Sequence, residues 1–474
     1  MNFNPRPYQH LIADFILNNE RGNVFAGMGM GKSSASIYSF DALRMFGEAK
    51  RALVIAPKRV ARSTWPNEIT KWRESFGHLK IAAALGTQEQ RIAALKAGAD
   101  ITTINYDNLE WLVEIVGEHW PWDMVIADES TRLKGLRIAL QTSKKGNEFL
   151  KGQGASRAKA LSEVAFKKVR RWVNLTGSPA PNGVVDLWGQ NWFVDGGKRL
   201  GTSFTAFQER WFRSRVNADG YHQLVPMGHA QAEIERLMRD CCITVDPKDW
   251  FDIDDPIETR IKVPLPPKAR AHYLQMEKEF FAEIEGMPIN AMTSGAKSNK
   301  LLQIGNGRVI YDTESKAVVA VHDEKLEALK SVVSEANGES ILVSYQYRAD
   351  LAAILKAFPR ARPLDDNPRT EQEWNEGRIP MLVVHPASAG HGLNFQDGGR
   401  ILCDYSNGYN LEYDEQVIER IGPTRQMQSG HPRPVYRYRL VAEDTVEENV
   451  VLPVIDRKCG VQEGFKAAMK QRAA

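Results

Sequence analysis

The segment of this sequence with the most specific chemistry is Ala26-Gly27-Met28-Gly29-Met30-Gly31-Lys32-Ser33. Glycines let consecutive backbone N–H groups face phosphate oxygens, a lysine reaches the β- and γ-phosphates, and a serine hydroxyl can ligate Mg²⁺. The following helix would add its positive amino-terminal end. A glycine-rich surface turn is the alternative for the loop alone, since the usual pattern has glycine in place of Ala26. The segment predicts a nucleotide site formed by Gly27, Gly29, Gly31, Lys32, Ser33 and Ser34.

A second segment, Val125-Ile126-Ala127-Asp128-Glu129, reads as a buried strand that ends in two carboxylates. Beside a phosphate-binding loop, Asp128 would hold Mg²⁺ together with Ser33, and Glu129 would polarise the water that attacks the γ-phosphate. By itself such a pair could be a helix cap followed by a solvated charge. The loop earlier in the chain favours catalysis, so the sequence predicts ATP hydrolysis with ATP and Mg²⁺ bound.

Length and composition limit the remaining interpretations. At 474 residues the chain is too long for one compact domain. Its net charge of +3 is small, so any nucleic-acid surface must be local. The spacing of the cysteines (Cys241, Cys242, Cys403, Cys459) suggests neither disulfides nor zinc. No secretion signal or long apolar run is present. We therefore expect a cytoplasmic protein without membrane contact.

The first half of the sequence alternates short apolar runs with segments of helical spacing. This alternation predicts a doubly wound parallel sheet with functional groups at the carboxyl ends of its strands. The predicted strands are Asn23–Ala26, Ala52–Ala56, Ile101–Asn105, Met124–Ala127 and Trp172–Leu175, and the predicted helices include Arg6–Asn18 and Ser33–Phe46.

The middle of the sequence, from about Val185 to Lys300, reads as mostly helical. Its aromatic residues are expected to form helix–helix core rather than a base-stacking surface; they are Trp188, Trp192, Phe193, Phe204, Phe207, Trp211 and Phe212. The proline-rich segment Asp252–Pro267 indicates a linker or an extended edge. A second α/β block follows, with strands predicted at Ser340–Ser344, Met381–Val384 and Arg400–Asp404.

Several segments resemble motifs of one protein family. Arg6-Pro7-Tyr8-Gln9 is similar to an element whose glutamine recognises adenine, and Leu53–Trp72 and Ile101–Leu109 resemble the next two motifs. Leu175–Asn182 resembles LTGTPxxN. In the second half, Leu342–Leu351, Ser388–Asn394 and Asn410–Gln416 resemble the opening strand of a second lobe, STxAGGxGxN and WNPxxDxQ. The chain thus resembles the superfamily 2 helicase-type ATPases, and among them the Swi/Snf-like double-stranded DNA translocases.

The resemblance implies a fold and roles for further residues. It implies an α/β fold with two RecA-like P-loop lobes, residues 1–184 and 301–474, and a helical protrusion with a linker between them, residues 185–300. It also assigns roles by motif: Arg6 and Gln9 to the nucleotide; Thr176, Gly177, Ser178, Gly390 and Gly392 to coupling; Gln416 to catalysis.

The chain departs from the family pattern at three places. The acidic motif reads Asp128-Glu129-Ser130-Thr131. In the segment that resembles WNPxxDxQ, Tyr409 stands in place of the tryptophan and Leu411 in place of the proline. In QxxxRxxRxGQ the second arginine is replaced by Pro423. Arg420 matches the first arginine by spacing, and Arg425 is our candidate for the finger that stabilises charge on the γ-phosphate.

The sequence indicates the nucleic-acid contacts less specifically than it indicates the nucleotide site. The expected contacts are Lys58, Arg59, Asn105, Tyr345 and Ser388, with Lys134 as a further candidate; for an isolated Lys or Arg the alternative is a solvated surface charge. Contacts to phosphates would give strong salt dependence and little sequence preference.

The resemblance implies a motor that moves along double-stranded DNA and separates strands weakly or not at all. Two alternatives stay open: a strand-separating DNA or RNA helicase, and a nucleotide-gated DNA-binding remodeller without processive movement. No nuclease motif accompanies the motor. The compact form resembles engines of bacteria and bacteriophages, which implies a monomer in a bacterial or phage-infected host cytosol, with unknown protein partners.

Overall fold

The apolar runs of the sequence form the strands of two parallel sheets. A computed structural model describes residues 1–142, 148–216, 222–279, 281–284, 287–290, 293–312, 315–365, 367–389 and 392–470. These form two compact units, residues 1–250 with 460 onward, and residues 251–459. No helix of the described chain has both the length and the apolar character that a membrane crossing requires.

The first unit is built on a seven-stranded sheet in the order β11-β1-β8-β5-β2-β4-β3, with all neighbouring strands parallel. Its strands and two hairpins are β1 Arg21–Ala26, β2 Ala52–Ala56, β3 Ile81–Ala83, β4 Ile101–Asn105, β5 Met124–Asp128, β6 Leu136–Thr142, β7 Glu148–Gly154, β8 Arg171–Thr176, β9 Phe212–Val216, β10 His222–Pro226 and β11 Cys242–Val245. Its helices are α1 Pro7–Asn18, α2 Lys32–Met45, α3 Trp65–Lys71, α4 Arg73–Phe76, α5 Gln88–Lys96, α6 Leu109–Val116, α7 Ser156–Ala165, α8 Leu187–Asp195, α9 Phe204–Trp211 and α10 Ala230–Met238.

The second unit contains a six-stranded parallel sheet in the order β12-β21-β20-β17-β19-β18. Its strands, including those of two hairpins, are β12 Ile257–Val263, β13 Phe281–Ile284, β14 Met287–Asn290, β15 Arg308–Ile310, β16 Val318–Ala320, β17 Ile341–Ser344, β18 Ala361–Pro363, β19 Met381–Val384, β20 Ile401–Asp404 and β21 Tyr436–Ala442. Its helices are α11 Pro267–Glu279, α12 Ser294–Asn306, α13 Glu324–Glu335, α14 Arg348–Ala357, α15 Pro368–Asn375, α16 Pro386–Ala389, α17 Leu411–Ile418, α18 Pro423–Gln428 and α19 Leu452–Ala468, whose last residues belong to the first unit.

The predicted α/β fold class is confirmed, and all eight predicted strands are present within a residue or two of their expected bounds. The middle of the chain differs from the mostly helical prediction, because it also contributes strands to both sheets. β11 pairs with β1, and β12 forms the predicted extended edge beside β21. The compact units therefore divide after Trp250, whereas the domain boundaries at 184 and 300 stay a prediction.

The aromatic residues of this middle segment are core, as expected. Trp188, Phe193, Phe207 and Trp211 are at most 1% exposed and belong to the main apolar cluster of the first unit. Trp172 on β8 stacks on Phe193 with ring centroids 4.7 Å apart. These rings fix α8 and α9 against the sheet that carries the phosphate-loop strand.

Candidate nucleotide-binding site

The phosphate-loop segment connects the end of β1 to the start of α2. Gly31 has φ +65° and ends the loop, and α2 begins at Lys32. A β-carbon at Gly31 would lie 2.1 Å from Gln9 Nε2, and one at Gly27 would lie 2.7 Å from Pro247 Cγ. A side chain at either position would therefore disturb the loop, and the left-handed backbone at Gly31 favours glycine as well.

The Lys32 ammonium lies inside the curve of this loop. Its Nζ donates to the main-chain oxygens of Ala26 at 2.8 Å and Gly27 at 3.1 Å. Burial raises the pKa of the Asp128 carboxyl group, and the positive charge of Lys32 partly opposes this rise. Lys32 is thus held by the loop and acts on the acidic strand end, while its contact with phosphate stays a prediction.

Asp128 is the last residue of β5 and is 6% exposed. Burial raises the pKa of its carboxyl group; the Lys32 charge and a hydrogen bond from Trp65 Nε1 to Oδ2, at 2.9 Å, oppose this rise. The two predicted Mg²⁺ ligands, the Ser33 hydroxyl on α2 and the Asp128 carboxylate at the end of β5, both offer oxygen atoms. Such a set suits Mg²⁺, a hard cation that keeps several waters and takes few protein ligands.

Glu129 follows Asp128 in a left-handed conformation with φ +58° and ψ +56°. This conformation is uncommon for a residue other than glycine, and such outliers cluster at functional sites. The Tyr106 hydroxyl donates to the main-chain oxygens of Asp128, at 2.8 Å, and Glu129, at 3.2 Å. Tyr106 therefore stabilises the turn that orients both carboxylates.

Sequence reasoning assigned no role to Trp65 or Tyr106. Each lies within a motif segment that was recognised, Leu53–Trp72 and Ile101–Leu109, but a buried aromatic residue is usually core. Both are in fact at most 1% exposed. A buried indole N–H or phenol O–H normally has a hydrogen-bond partner, so the polar atoms of these two residues were the signal that could have indicated a role.

The predicted coupling residues of the first unit adjoin the phosphate loop. Thr176 ends β8, the strand between β1 and β5, and its Oγ1 accepts from Ser178 N at 3.1 Å. A β-carbon at Gly177 would lie 3.5 Å from the Ala26 main-chain oxygen. The structure thus brings three predicted motifs together at the carboxyl ends of three neighbouring strands.

The predicted adenine-recognition residues lie at the start of α1. Gln9 Nε2 donates to Ser34 Oγ at 3.2 Å, and its Oε1 accepts from Arg6 N at 2.9 Å. The Arg6 side chain is exposed and donates to Tyr8 Oη at 3.2 Å. These contacts tie the amino-terminal element to the first turn of α2, while adenine recognition by Gln9 stays a prediction.

The predicted nucleic-acid contacts of the first unit differ in exposure. Lys58 is exposed and Arg59 half-buried just after β2. Asn105 is 6% exposed, and its amide bonds Asp107 and Asn108 at 3.3 and 2.5 Å. Lys134 pairs with Asp186 at 3.5 Å. Lys58 and Arg59 are thus more accessible to a phosphate backbone than Asn105.

In the second unit, the two candidate arginines hold the segment that begins at Gly392. Arg420 is 3% exposed and donates to the main-chain oxygens of Leu393 and Gln416, each at 3.1 Å. Arg425 is half-buried and donates to Asn394 Oδ1; burial lowers the pKa of its guanidinium group. Gly392 has φ +73°, whereas Gly390 lies outside the described residues.

The other predicted residues of the second unit lie at strand and helix ends. Gln416 is 1% exposed on α17, a helix capped by the Asn410 side chain, and its Nε2 donates to Glu412 at 3.3 Å. Tyr345 follows β17 with its ring edge-on to His385 at 5.5 Å, and Ser388 is exposed on α16. The roles assigned to these residues stay predictions.

Comparisons with known proteins agree with the class that this site defines, a P-loop nucleotide hydrolase. The SNF2-related domain matches residues 8–303. Putative protein p41 of Acyrthosiphon pisum secondary endosymbiont phage 1 is 48% identical, with 99% of each chain covered. The SWI/SNF-related matrix-associated actin-dependent regulator of chromatin subfamily A member 1 of Mus musculus is 23% identical over 92% of this chain, but only 40% of that protein is covered.

Among solved structures, the Sulfolobus solfataricus SWI2/SNF2 ATPase core in complex with dsDNA is 18% identical, with a TM-score of 0.44 over 99% of this chain and 94% of that one. The extent of the domain match and the phage relative decide the family. The chain belongs to the SNF2-related family, whose members are nucleic-acid-dependent ATPases of the helicase type.

Proposed function

We propose that this chain is an ATP-driven motor that moves along double-stranded DNA. The observation that carries the proposal is the junction of three neighbouring strands, β1, β8 and β5, which brings the phosphate loop, the Thr176 segment and the acidic pair together. The Mus musculus relative, which is named for the regulation of chromatin, favours DNA as the track.

The chemistry proposed is hydrolysis of the bond between the β- and γ-phosphates of ATP. Backbone N–H groups of the loop and Lys32 would hold the phosphates, and Ser33 and Asp128 would hold Mg²⁺, which offsets phosphate charge. Glu129 would orient the attacking water, giving ADP and inorganic phosphate. Gln416, Arg420 and Arg425 stay candidate catalytic residues of the second unit, with Arg425 as the candidate for the arginine finger.

We further propose that hydrolysis is coupled to movement through Thr176, Gly177 and Ser178 in the first unit and Gly390 and Gly392 in the second. Lys58, Arg59, Asn105, Tyr345 and Ser388 would contact the nucleic-acid backbone. Contacts of this kind release counterions, so binding should weaken steeply with salt and depend little on sequence. Action as a monomer and a cytoplasmic location stay predictions.

The test measures ATP hydrolysis by the wild type and by Lys32→Ala at low salt. Each is assayed without nucleic acid and with duplex DNA, single-stranded DNA or RNA. We expect duplex DNA to stimulate the wild type most, and Lys32→Ala to lose at least about 100-fold in kcat because a phosphate contact in the transition state is removed. Displacement of a third strand from duplex DNA then reports translocation.

Other outcomes separate the alternatives. Stronger stimulation by single strands or RNA, with unwinding of a forked duplex, would identify a strand-separating helicase. Duplex-stimulated hydrolysis without displacement of a third strand would favour the nucleotide-gated remodeller. Hydrolysis that survives Lys32→Ala would contradict the site itself.

A further inference from the structure

A chain of buried hydrogen bonds links the residue after the acidic pair to the Thr176–Asn182 segment. Ser130 Oγ donates to Gln190 Oε1 at 2.9 Å. Gln190 Nε2 donates in turn to the main-chain oxygens of Pro179, at 2.8 Å, and Asp186, at 3.0 Å. One amide group on α8 thus contacts both segments with its two ends.

The same part of α8 is bonded to two strands of the sheet. Asn174 Nδ2 on β8 donates to the Gln190 main-chain oxygen at 3.0 Å and to Asn23 Oδ1 at 2.9 Å. Asn23 Nδ2 on β1 donates to Asn191 Oδ1 at 3.0 Å. α8 therefore makes polar contacts with β1, the strand that leads into the phosphate loop, and with β8, the strand that ends at Thr176.

All five side chains are nearly inaccessible, with exposures of 2% or less: Asn23, Ser130, Asn174, Gln190 and Asn191. Neighbouring residues of α8, including Leu187, Trp188 and Phe193, belong to the apolar core. Breaking one of these bonds would leave a buried polar group unsatisfied, at a cost of about 1–3 kcal/mol. A movement of Pro179 is therefore opposed unless Gln190 and Ser130 move with it.

A displacement at Ser130 acts directly on the catalytic turn. Ser130 follows Glu129, whose left-handed backbone sets the direction of its carboxylate. We propose that Gln190 is a positioning residue that transmits movement of the Thr176–Asn182 segment to Glu129 through Ser130. The proposal rests on the proposed function, in which that segment couples hydrolysis to nucleic-acid binding.

The experiment compares Ser130→Ala, Gln190→Leu and the double variant with the wild type. The matched control is Ser203→Ala, which removes a hydroxyl that accepts from Ala206 N at 3.2 Å and caps α9 outside the proposed site. We measure kcat and KM for ATP with and without duplex DNA, and the melting temperature of each protein.

We expect Ser130→Ala to lower the duplex-stimulated kcat about five- to tenfold, the effect of one hydrogen bond of about 1–1.4 kcal/mol, with KM for ATP unchanged. Its melting temperature should fall no further than that of Ser203→Ala. Gln190→Leu should lower kcat similarly, and the double variant should be no worse than the poorer single variant, because both remove one link.

Wild-type turnover in Ser130→Ala, or additive losses in the double variant, would overturn the proposal. If Gln190→Leu does not fold, the comparison of Ser130→Ala with Ser203→Ala still decides. If no nucleic acid stimulates the wild type, the proposed function fails; the link is then tested by the same criteria on basal kcat, where it predicts the same non-additive loss.

Discussion

At the scale of single residues, the acidic strand end shows how neighbouring groups oppose the neutralisation of a buried carboxylate. Burial favours the neutral form of Asp128, and a neutral carboxyl group is a poor ligand for Mg²⁺. Lys32 and the Trp65 indole favour the charged form, one by its charge and the other by a hydrogen bond. The charge state of Asp128 therefore depends in part on Trp65, a residue that its motif alone would place in the core.

Replacing Trp65 by Phe keeps the ring and removes only the N–H donor. We expect the pKa of Asp128 to rise further, so that the acid limb of the kcat profile moves to higher pH. A hydrogen bond to a charged group contributes about 1.5–3 kcal/mol, so the loss of kcat on the acid limb should be about tenfold or more.

The measurement is the pH dependence of kcat for the wild type and the Trp65→Phe variant. Trp211→Phe is the matched control, since its Nε1 also donates to a carboxylate, Glu233, at 2.9 Å in the same unit. An acid limb that shifts equally in both variants would argue against the role given to Trp65.

The residues of the nucleotide site could be predicted in part from the sequence. Lys32, Asp128 and Thr176 belong to local motifs, so their types and spacing were enough. Trp65 bonds Asp128, and Gln190 bonds Ser130. The partners in each pair lie about 60 positions apart in the sequence, and no local pattern encodes a contact over such a separation. The burial of Asn105 at the end of β4 was likewise not evident from its motif.

At the scale of elements, apolar runs predicted the strands well where each run was buried on both faces. β11, Cys242–Val245, was missed because it follows a helical stretch. β12 carries a mainly polar sequence, since it lies at a sheet edge and pairs only with β21. Such strands are defined by their neighbours in the sheet rather than by their own pattern.

The helix that follows β17 brings a buried acid into the second unit. Asp350, in the first turn of α14, is fully buried, and its pKa is raised to about 7 by burial, against the effects of Ser406 and Lys325. Because this pKa lies above the unfolded value of about 3.9, the folded form is favoured most at low pH, and that stability is lost as pH rises toward 7.

Asp350→Asn should remove this pH dependence. At pH 3, below both pKa values, the variant should match the wild type, and at pH 8 it should be more stable by up to a few kcal/mol, at about 1.4 kcal/mol per pKa unit. Urea unfolding at both pH values, followed by a probe in the second unit, checks the prediction.

Asp414→Asn is a control in which the expected change in stability at pH 8 has the opposite sign, because the carboxyl pKa of Asp414 is lowered rather than raised. Arg437 and Arg439 bond Asp414 at 2.6 to 2.9 Å and hold its carboxyl pKa well below the usual range. That variant should lose stability at pH 8. A loss of stability in Asp350→Asn at both pH values would contradict the expected titration.

At the scale of the whole molecule, the first unit is discontinuous in sequence. Residues from 460 onward return to it after the second unit is complete. Phe465 and Met469 are fully buried there, with the Phe465 ring 5.7 Å from Phe25 on β1. Lys470 pairs with Asp246 and Asp249, each at 2.9 Å.

Phe465→Ala should therefore destabilise the unit that carries the phosphate loop. Truncating a buried phenylalanine costs about 3–5 kcal/mol. Hydrogen exchange should show faster exchange in β1 and β8 and little change in β17 and β20. Phe395→Ala, which truncates a fully buried ring of the second unit, should give the reverse pattern. Uniform acceleration in both variants would contradict the division into two units.

The return of the chain to the first unit also has a consequence for protein synthesis. A ribosome makes β1 and the phosphate loop early, but the ring that packs on Phe25 is added more than 400 residues later. Until residues 460–470 have left the exit tunnel, the nascent first unit exposes part of its apolar core. Its final packing therefore comes late in synthesis, and the incomplete chain is the form most in need of a chaperone.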